Sequence, residues 1–89
     1  MNIIKVSARS RTASVAGAIA GVIRDAGRAE VQAIGAGAVN QAVKAIIIAS
    51  GYLGEEQVYV ACIPTFVEVA IDDQERTAVR ILVEPHVTA

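Results

Sequence analysis

The chain has 89 residues, enough for one domain and too few for two. Its hydrophobic fraction is high, at 54%, but comes largely from Ala, Val and Ile, and every run without a polar residue is far shorter than the roughly 20 residues of a membrane-spanning helix. The net charge of −1 is close to neutral. We therefore expect one soluble domain over residues 1–89.

The near-zero net charge conceals a difference between the two halves of the chain. Residues 1–50 carry six basic side chains and two acidic ones, whereas residues 51–89 carry two basic and seven acidic ones. Such asymmetry can place a basic face on a mildly acidic protein. For most of these residues, ordinary solvated charge is the simpler interpretation.

The first residues and the cysteine content bear on the compartment. Residues 1–7 read as a strand, and Arg9 and Arg11 interrupt the apolar sequence that follows, unlike an export signal. Cys62 is the only cysteine, so the chain can form no internal disulfide, and its place in a predicted strand favours a buried, unreactive thiol. We expect a cytoplasmic protein.

The first half of the chain reads as two strand–helix units. Residues 2–7 form the first predicted strand, and residues 13–26 the first helix, with an apolar stripe on one face and Gly27 as its terminator. Residues 30–34 form the second strand, and the second helix runs to about Ser50, with Gly51 ending it. Hydroxyl groups that could cap the first helix lie at Ser10, Thr12 and Ser14.

The second half reads as strands alone. Residues 57–63 and 66–71 have strand character, with Pro64 between them marking a bulge or a sheet edge. A polar turn at 72–75 leads to a last strand over 77–84. The order β-α-β-α-β-β predicts a two-layer α/β sandwich: two helices on one face of a mixed four-stranded sheet whose first two strands are parallel.

The turn Gly35-Ala36-Gly37, between the second strand and the second helix, resembles part of a dinucleotide-binding fingerprint. Asn40 stands where the third small residue belongs, and the chain is too short for a doubly wound domain, so we set this interpretation aside. A helix amino terminus among small residues is still a usable anion site through its free backbone amides.

Parallel pairing of the first two strands would bring the turn at 35–37 close to residues 7–12, which contain Arg9 and Arg11. Two arginines and two helix amino termini at one edge would suit a phosphate group. Equally, the arginines could serve only to keep a loop soluble, with the glycines there for tight packing. The residues alone leave both interpretations open.

The second helix has two predicted faces. A core side is expected from Val39, Ala42, Val43, Ile46 and Ser50, with Asn40 on the flank and an outer side of Gln41, Lys44, Ile48 and Tyr52. Ile48 and Tyr52 would be exposed apolar groups one turn apart, which favours a subunit or ligand contact. Gly17 and Gly21 in the first helix have a spacing that favours close packing on the sheet or on a partner subunit.

Catalytic groups are scarce. His86 is the only histidine and lies beyond Pro85 in a predicted tail, so one chain cannot assemble a histidine-based triad or a histidine metal cluster. Asp72, Asp73 and Glu75 lack the spacing of a calcium loop and fit a solvated turn better. We expect no enzyme activity, no catalytic residues, no metal site and no cofactor.

Several segments resemble the stage V sporulation protein S family, and together they span nearly the whole chain. In chain order they are KVSARS at 5–10, SVAGAIAGVIR at 14–24, QAIGAGAVNQAVKA at 32–45, CIP at 62–64 and ERTAVRILVEP at 75–85. That family is similar in fold to the Alba nucleic-acid-binding proteins. The resemblance implies an Alba-like domain, a cytoplasmic oligomeric regulator of late spore development, and a nucleic-acid surface that includes Arg9, Arg11, Asn40, Gln41 and Lys44.

The chain departs from the Alba pattern at the predicted hairpin. The turn 72–75 is short and acidic and would repel a phosphate backbone, and three aromatic residues are too few for a base-stacking platform. Our leading hypothesis is a homo-oligomeric dimer or tetramer that binds DNA or RNA weakly through phosphates, with Gly35, Ala36 and Gly37 contributing backbone amides. The alternatives are a protein scaffold that uses Ile48, Tyr52, Gly17 and Gly21, and a binder of small anions at the glycine turn.

Overall fold

The computed structural model describes residues 3–86. Its elements, in chain order, are β1 (Ile3–Val6), α1 (Thr12–Ala26), β2 (Ala29–Ala33), α2 (Ala36–Glu55), β3 (Val60–Ile71) and β4 (Gln74–Pro85). The sheet has the order β1-β2-β4-β3, with β1 and β2 parallel and the other two pairings antiparallel. The predicted two-layer α/β sandwich is confirmed.

The core lies between the two helices and one face of the sheet. Alternate residues of β2, among them the fully buried Val31, face the helices, and so do Ile81 and Val83 of β4. Ile19 of α1 and Leu53 of α2 are fully buried, each contributing about 1.5–3 kcal/mol through burial of its side chain. Many of the remaining buried helix residues are alanines, which lets the backbones approach closely.

Helix α1 ends as its sequence predicts but begins differently. Gly27 adopts the left-handed conformation, at φ 87°, and its N–H donates to the carbonyl of Ile23 over 2.9 Å. The residue at the amino-terminal cap is Arg11, with no hydroxyl bonded to the helix amides, so the predicted capping by Ser10, Thr12 or Ser14 is wrong.

Helix α2 is longer than predicted. Gly51 lies inside the helix and does not end it, because the next turn buries Leu53. The chain leaves the helix at Gln57, which is left-handed at φ 62° and donates to the carbonyl of Gly54, while Val58 N–H donates to the carbonyl of Leu53. This pair of hydrogen bonds is a Schellman motif, here formed without a glycine at the left-handed position.

Strands β3 and β4 form one long hairpin. β3 is continuous through Pro64, so the predicted interruption is wrong, whereas the predicted sheet edge is right. Asp72 and Asp73 form the turn, both with positive φ, as in a type I′ hairpin connection. Only residues 79–83 of β4 pair with β2, so the distal part of the hairpin extends beyond the rest of the sheet.

In residues 3–86, no helix combines the length and the apolar character that crossing a membrane would require.

Candidate functional site

The two strand–helix connections meet at one edge of the sheet, as the parallel pairing of β1 and β2 predicts. Helix α2 begins against the first connection so closely that a Cβ atom added to Gly37 would lie 3.0 Å from Ala8 Cβ. One turn further, Gln41 Nε2 donates to the carbonyl of Ser10 over 2.8 Å. We call residues 7–12 together with 35–37 the loop rim.

Hydrogen bonds between residues close in the chain hold the first connection of the loop rim. Ser7 N–H donates to Ser10 Oγ over 2.8 Å, Arg9 N–H donates to Ser7 Oγ over 3.2 Å, and Ser10 N–H donates to the carbonyl of Ser7 over 3.1 Å. Ser10, predicted as a helix cap, is therefore used inside the loop. The backbone that carries Arg9 is fixed while its side chain remains exposed.

Both arginines of the loop rim are exposed and free to meet an anion. In the part of the chain that the structure describes, the ion pair joins Arg24 to Glu56, at the far end of α1, and involves neither Arg9 nor Arg11. Neither helix carries an acidic residue in its first turn, so no carboxylate of the helices themselves competes for their amino-terminal amides. The loop rim thus combines two cations with two helix amino termini.

The start of α2 depends on the backbone of Gly35. This residue has φ 87° and ψ 158°, a region that only glycine occupies without strain, and it precedes the helix without a side-chain cap. Its carbonyl accepts the first helical hydrogen bond, from Val39 N–H at 3.0 Å. The amides of Ala36, Gly37 and Ala38 lie within the first turn, where an α-helix leaves N–H groups without helical partners.

The predicted nucleic-acid residues of α2 fall into two groups. Asn40 and Lys44 are exposed, one turn apart, on the side of the helix that faces away from the core. Gln41 is half-buried, and its amide is engaged by the carbonyl of Ser10. Gln41 therefore positions the loop rim, and the nucleic-acid contact predicted for it stays a prediction.

The predicted faces of α2 need correction. Ile48 is half-buried and packs against the core, so its predicted exposure is wrong, while Tyr52 is exposed as predicted. Val43, predicted to be in the core, is exposed, and so is Ile47, at 65%. The helix places its alanines against the core because small side chains allow the helix to pack closely. The predicted faces were wrong because hydropathy ranks alanine below valine and isoleucine.

The exposed apolar side of α2 borders a groove of about 280 Å³ against the β3–β4 hairpin. Its lining includes Val43 and Ile47 from the helix and Cys62 and Pro64 from β3. Phe66 follows on the same strand face and is 79% exposed. We call the groove together with Phe66 the α2–β3 surface; no signal in the sequence separated its residues from core residues.

Cys62 belongs to this surface and is exposed, so its predicted burial is wrong. Partial desolvation nevertheless raises the pKa of its thiol, which keeps it protonated and weakly nucleophilic at neutral pH.

The predicted close packing of Gly17 and Gly21 is absent within the described chain. A Cβ atom added to either glycine would meet no atom within 4 Å, so neither packs on the sheet. Contact of this helix face with a partner subunit stays a prediction.

The fold and the loop rim define a small two-layer α/β domain with a basic, amide-rich edge and a separate apolar surface. Comparison with protein families identifies the family within this class. The family model for stage V sporulation protein S (SpoVS) matches residues 2–86. The chain belongs to this family and is a sporulation-related protein.

Proposed function

We propose that the protein is a regulatory protein that binds the phosphate backbone of nucleic acid at the loop rim and does so as a homo-oligomer. The observation that carries the proposal is the contact between the two strand–helix connections, through Gly37 against Ala8 and Gln41 on Ser10. It directs two exposed arginines and two helix amino termini to one edge of the molecule. Backbone amides and arginines at helix amino termini are the groups that proteins use for phosphate.

Binding of this kind would recognise the phosphate backbone of the nucleic acid and would depend little on its base sequence. The hairpin tip is exposed and acidic at Asp72, Asp73 and Glu75, which repels phosphates and confines the contact to the loop rim and to Lys44 on α2. Such binding is modest in strength and falls steeply with salt, for DNA and RNA alike.

Self-association would use the α2–β3 surface. β3 is a 12-residue strand with one charged residue, Glu68, and its side chains Cys62, Pro64 and Phe66 leave apolar area exposed beside α2. Val43, Ile47 and Phe66 replace Ile48 as the proposed contact residues. Each added copy repeats the loop rim, and several weak phosphate contacts on one assembly raise the total affinity.

Fluorescence anisotropy with labelled duplex DNA and RNA, measured between low and physiological salt, tests the proposal. The double variant Arg9→Ala and Arg11→Ala should bind at least tenfold more weakly, and the dependence of log affinity on log salt should become shallower by about 0.9 for each phosphate that is no longer neutralised. Arg28→Ala, which removes an exposed arginine outside the loop rim, is the control and should leave affinity nearly unchanged. Wild-type binding that ignores salt, or no binding at all, would refute the proposal.

A second candidate function is a protein adaptor that acts through the α2–β3 surface alone. Its support is that the groove is lined almost entirely by apolar atoms, as protein-contact surfaces often are. The two functions differ in what the arginine double variant does: an adaptor keeps its assembly and its partners when Arg9 and Arg11 are removed, and it shows no affinity for nucleic acid.

A further inference from the structure

A row of three polar residues crosses the sheet on the face opposite the helices. The strand register pairs Lys5 with Gln32 and Gln32 with Arg80, on β1, β2 and β4. Their neighbours Val31 and Ile81 are in the core, so the alternation of a strand directs Gln32 and Arg80 to the other face.

Gln32 holds the Arg80 guanidinium in place without neutralising it. Gln32 is 9% exposed, and its Oε1 accepts hydrogen bonds from Arg80 Nη2 at 2.7 Å and Nε at 3.3 Å. The partner of this half-buried cation is thus a neutral amide. The orientation of the guanidinium is fixed, its positive charge remains available, and its other N–H groups can serve a ligand.

These residues line a groove of about 460 Å³, within the range of about 300–1,000 Å³ that is usual for small-molecule sites. Lys5, Gln32 and Arg80 form its polar side, while Ile34, Val69 and Ile71 contribute apolar wall. Of the lining residues, all within the described part of the chain, none is acidic. The groove adjoins Ser7 and Ala8 of the loop rim, yet its cations are not those of the rim.

We propose that this sheet-face groove binds a mononucleotide, with its phosphate at Lys5 and Arg80 and its base against the apolar wall. A phosphate carries about −1.5 to −2 charges near pH 7 and has three acceptor oxygens. It can therefore pair with both cations, whereas a carboxylate ligand would supply only one negative charge. The flat face of a base packs against aliphatic side chains in the same way that flipped bases pack in enzyme pockets.

The nucleotide can come from two sources: a free mononucleotide or the phosphorylated end of a nucleic-acid strand. This inference is independent of the proposed function of the loop rim, because removal of Arg9 and Arg11 leaves Lys5, Gln32 and Arg80 in place.

The experiment is titration of the full chain with adenosine 5′-monophosphate at low salt, by calorimetry and by backbone-amide NMR. The amide signals of residues 69–71 and of Gln32 and Arg80 should shift. Gln32→Glu supplies a carboxylate of the same shape to Arg80 and should weaken binding at least tenfold. Lys5→Gln, at an exposed position, should also weaken it, which covers the case that Gln32→Glu misfolds. The Arg9→Ala and Arg11→Ala double variant is the control and should bind as wild type does.

The absence of adenosine 5′-monophosphate binding overturns the proposal. Binding that survives both Gln32→Glu and Lys5→Gln, or that leaves the signals of residues 69–71 unmoved, overturns the proposal. Equal affinity for inorganic phosphate and for the nucleotide also overturns it, because the apolar wall would then contribute nothing. Competition by a 5′-phosphorylated oligonucleotide, but not by its 5′-hydroxyl form, supports a strand end as the source; a failure of both to compete supports the free nucleotide.

Discussion

The loop rim and the α2–β3 surface each include part of α2, but different kinds of interaction form the two regions. At the loop rim, hydrogen bonds such as that from Gln41 to Ser10 fix the backbone while Arg9 and Arg11 stay exposed. At the α2–β3 surface, the backbone is ordinary helix and strand, and side chains such as Ile47 and Phe66 are the exposed feature. One region presents charge from a constrained backbone; the other presents apolar area from regular elements.

The comparison implies that the two regions can be altered separately. Substitutions at the α2–β3 surface should change assembly without changing the affinity of one subunit for phosphate. Substitutions that disturb the backbone of the loop rim should change stability and phosphate binding together.

The largest expected effect is on assembly. Ile47→Glu combined with Phe66→Glu places two charges on the α2–β3 surface and should weaken self-association at least thirtyfold, which corresponds to about 2 kcal/mol for loss of a hot spot. Both side chains are exposed, so the fold should be retained. Light scattering coupled to size-exclusion chromatography measures the change in mass.

Ile48→Glu is the matched control for that prediction. Ile48 lies one residue further along α2 and packs against the core, so its replacement should lower thermal stability. If Ile48→Glu dissociates a stable protein while the double variant remains assembled, the interface lies elsewhere. The rate of maleimide labelling at Cys62, the only thiol, gives a second measure, since assembly should protect it.

The next effect concerns the backbone of the loop rim. Gly35→Ala should cost about 1–3 kcal/mol in the free energy of unfolding, because its φ and ψ lie in a region that alanine avoids. Gly51→Ala, inside the same helix with nothing within 4 Å of an added Cβ, should instead gain up to about 1 kcal/mol. Urea unfolding measures both; similar changes for the two variants would contradict the role assigned to Gly35.

A smaller effect is expected at Gln41. Gln41→Leu removes the hydrogen bond to the carbonyl of Ser10 and should cost about 1 kcal/mol of stability. It should also weaken nucleic-acid binding, because the segment that carries Arg9 and Arg11 loses its support. Asn40→Leu changes an exposed neighbour and should leave stability unaltered. Gln41→Leu with full stability and full affinity would show that this hydrogen bond does not organise the loop rim.

The smallest effect depends on pH and lies outside both regions. The hydrogen bonds from the Arg24 guanidinium hold the pKa of the Glu56 carboxyl below its ordinary value of 4.5. A lowered carboxyl pKa contributes stability that is present above the ordinary pKa and is lost as pH falls through the folded-state pKa. Both groups are exposed, so Arg24→Gln should lower the free energy of unfolding only slightly at pH 7. At pH 2 the same substitution should leave it unchanged, and urea unfolding at the two pH values measures the difference.

The sequence was sufficient to predict the order of the elements and the proximity of the two strand–helix connections. Hydrophobic periodicity and the glycines at 27 and 35 indicated the elements, and parallel pairing then required both connections to lie at one edge. It was not sufficient for the end of α2, where burial of Leu53 and a left-handed Gln57 outweigh the preference of Gly51 for a terminus.

Other features depend on residues that are distant in the chain. The exposure of Val43 and the partial burial of Ile48 follow from how an alanine-rich helix packs on the sheet. A helical wheel shows positions within one helix and does not show which side of the helix faces the sheet. The row Lys5, Gln32 and Arg80 exists only because β4 lies between β2 and β3 in this register. Strand order of this kind is decided by the tertiary fold.

Pro64 limits how β3 can meet another chain. In an edge strand, proline takes a position whose nitrogen faces the unpaired side, where it offers no N–H to an incoming strand. A neighbour that tried to extend the sheet along β3 would lack a hydrogen bond midway through its length. The missing hydrogen bond disfavours open-ended fibre growth by strand addition at this edge. Copies of this protein would then contact one another through side chains, which favours closed assemblies of defined size.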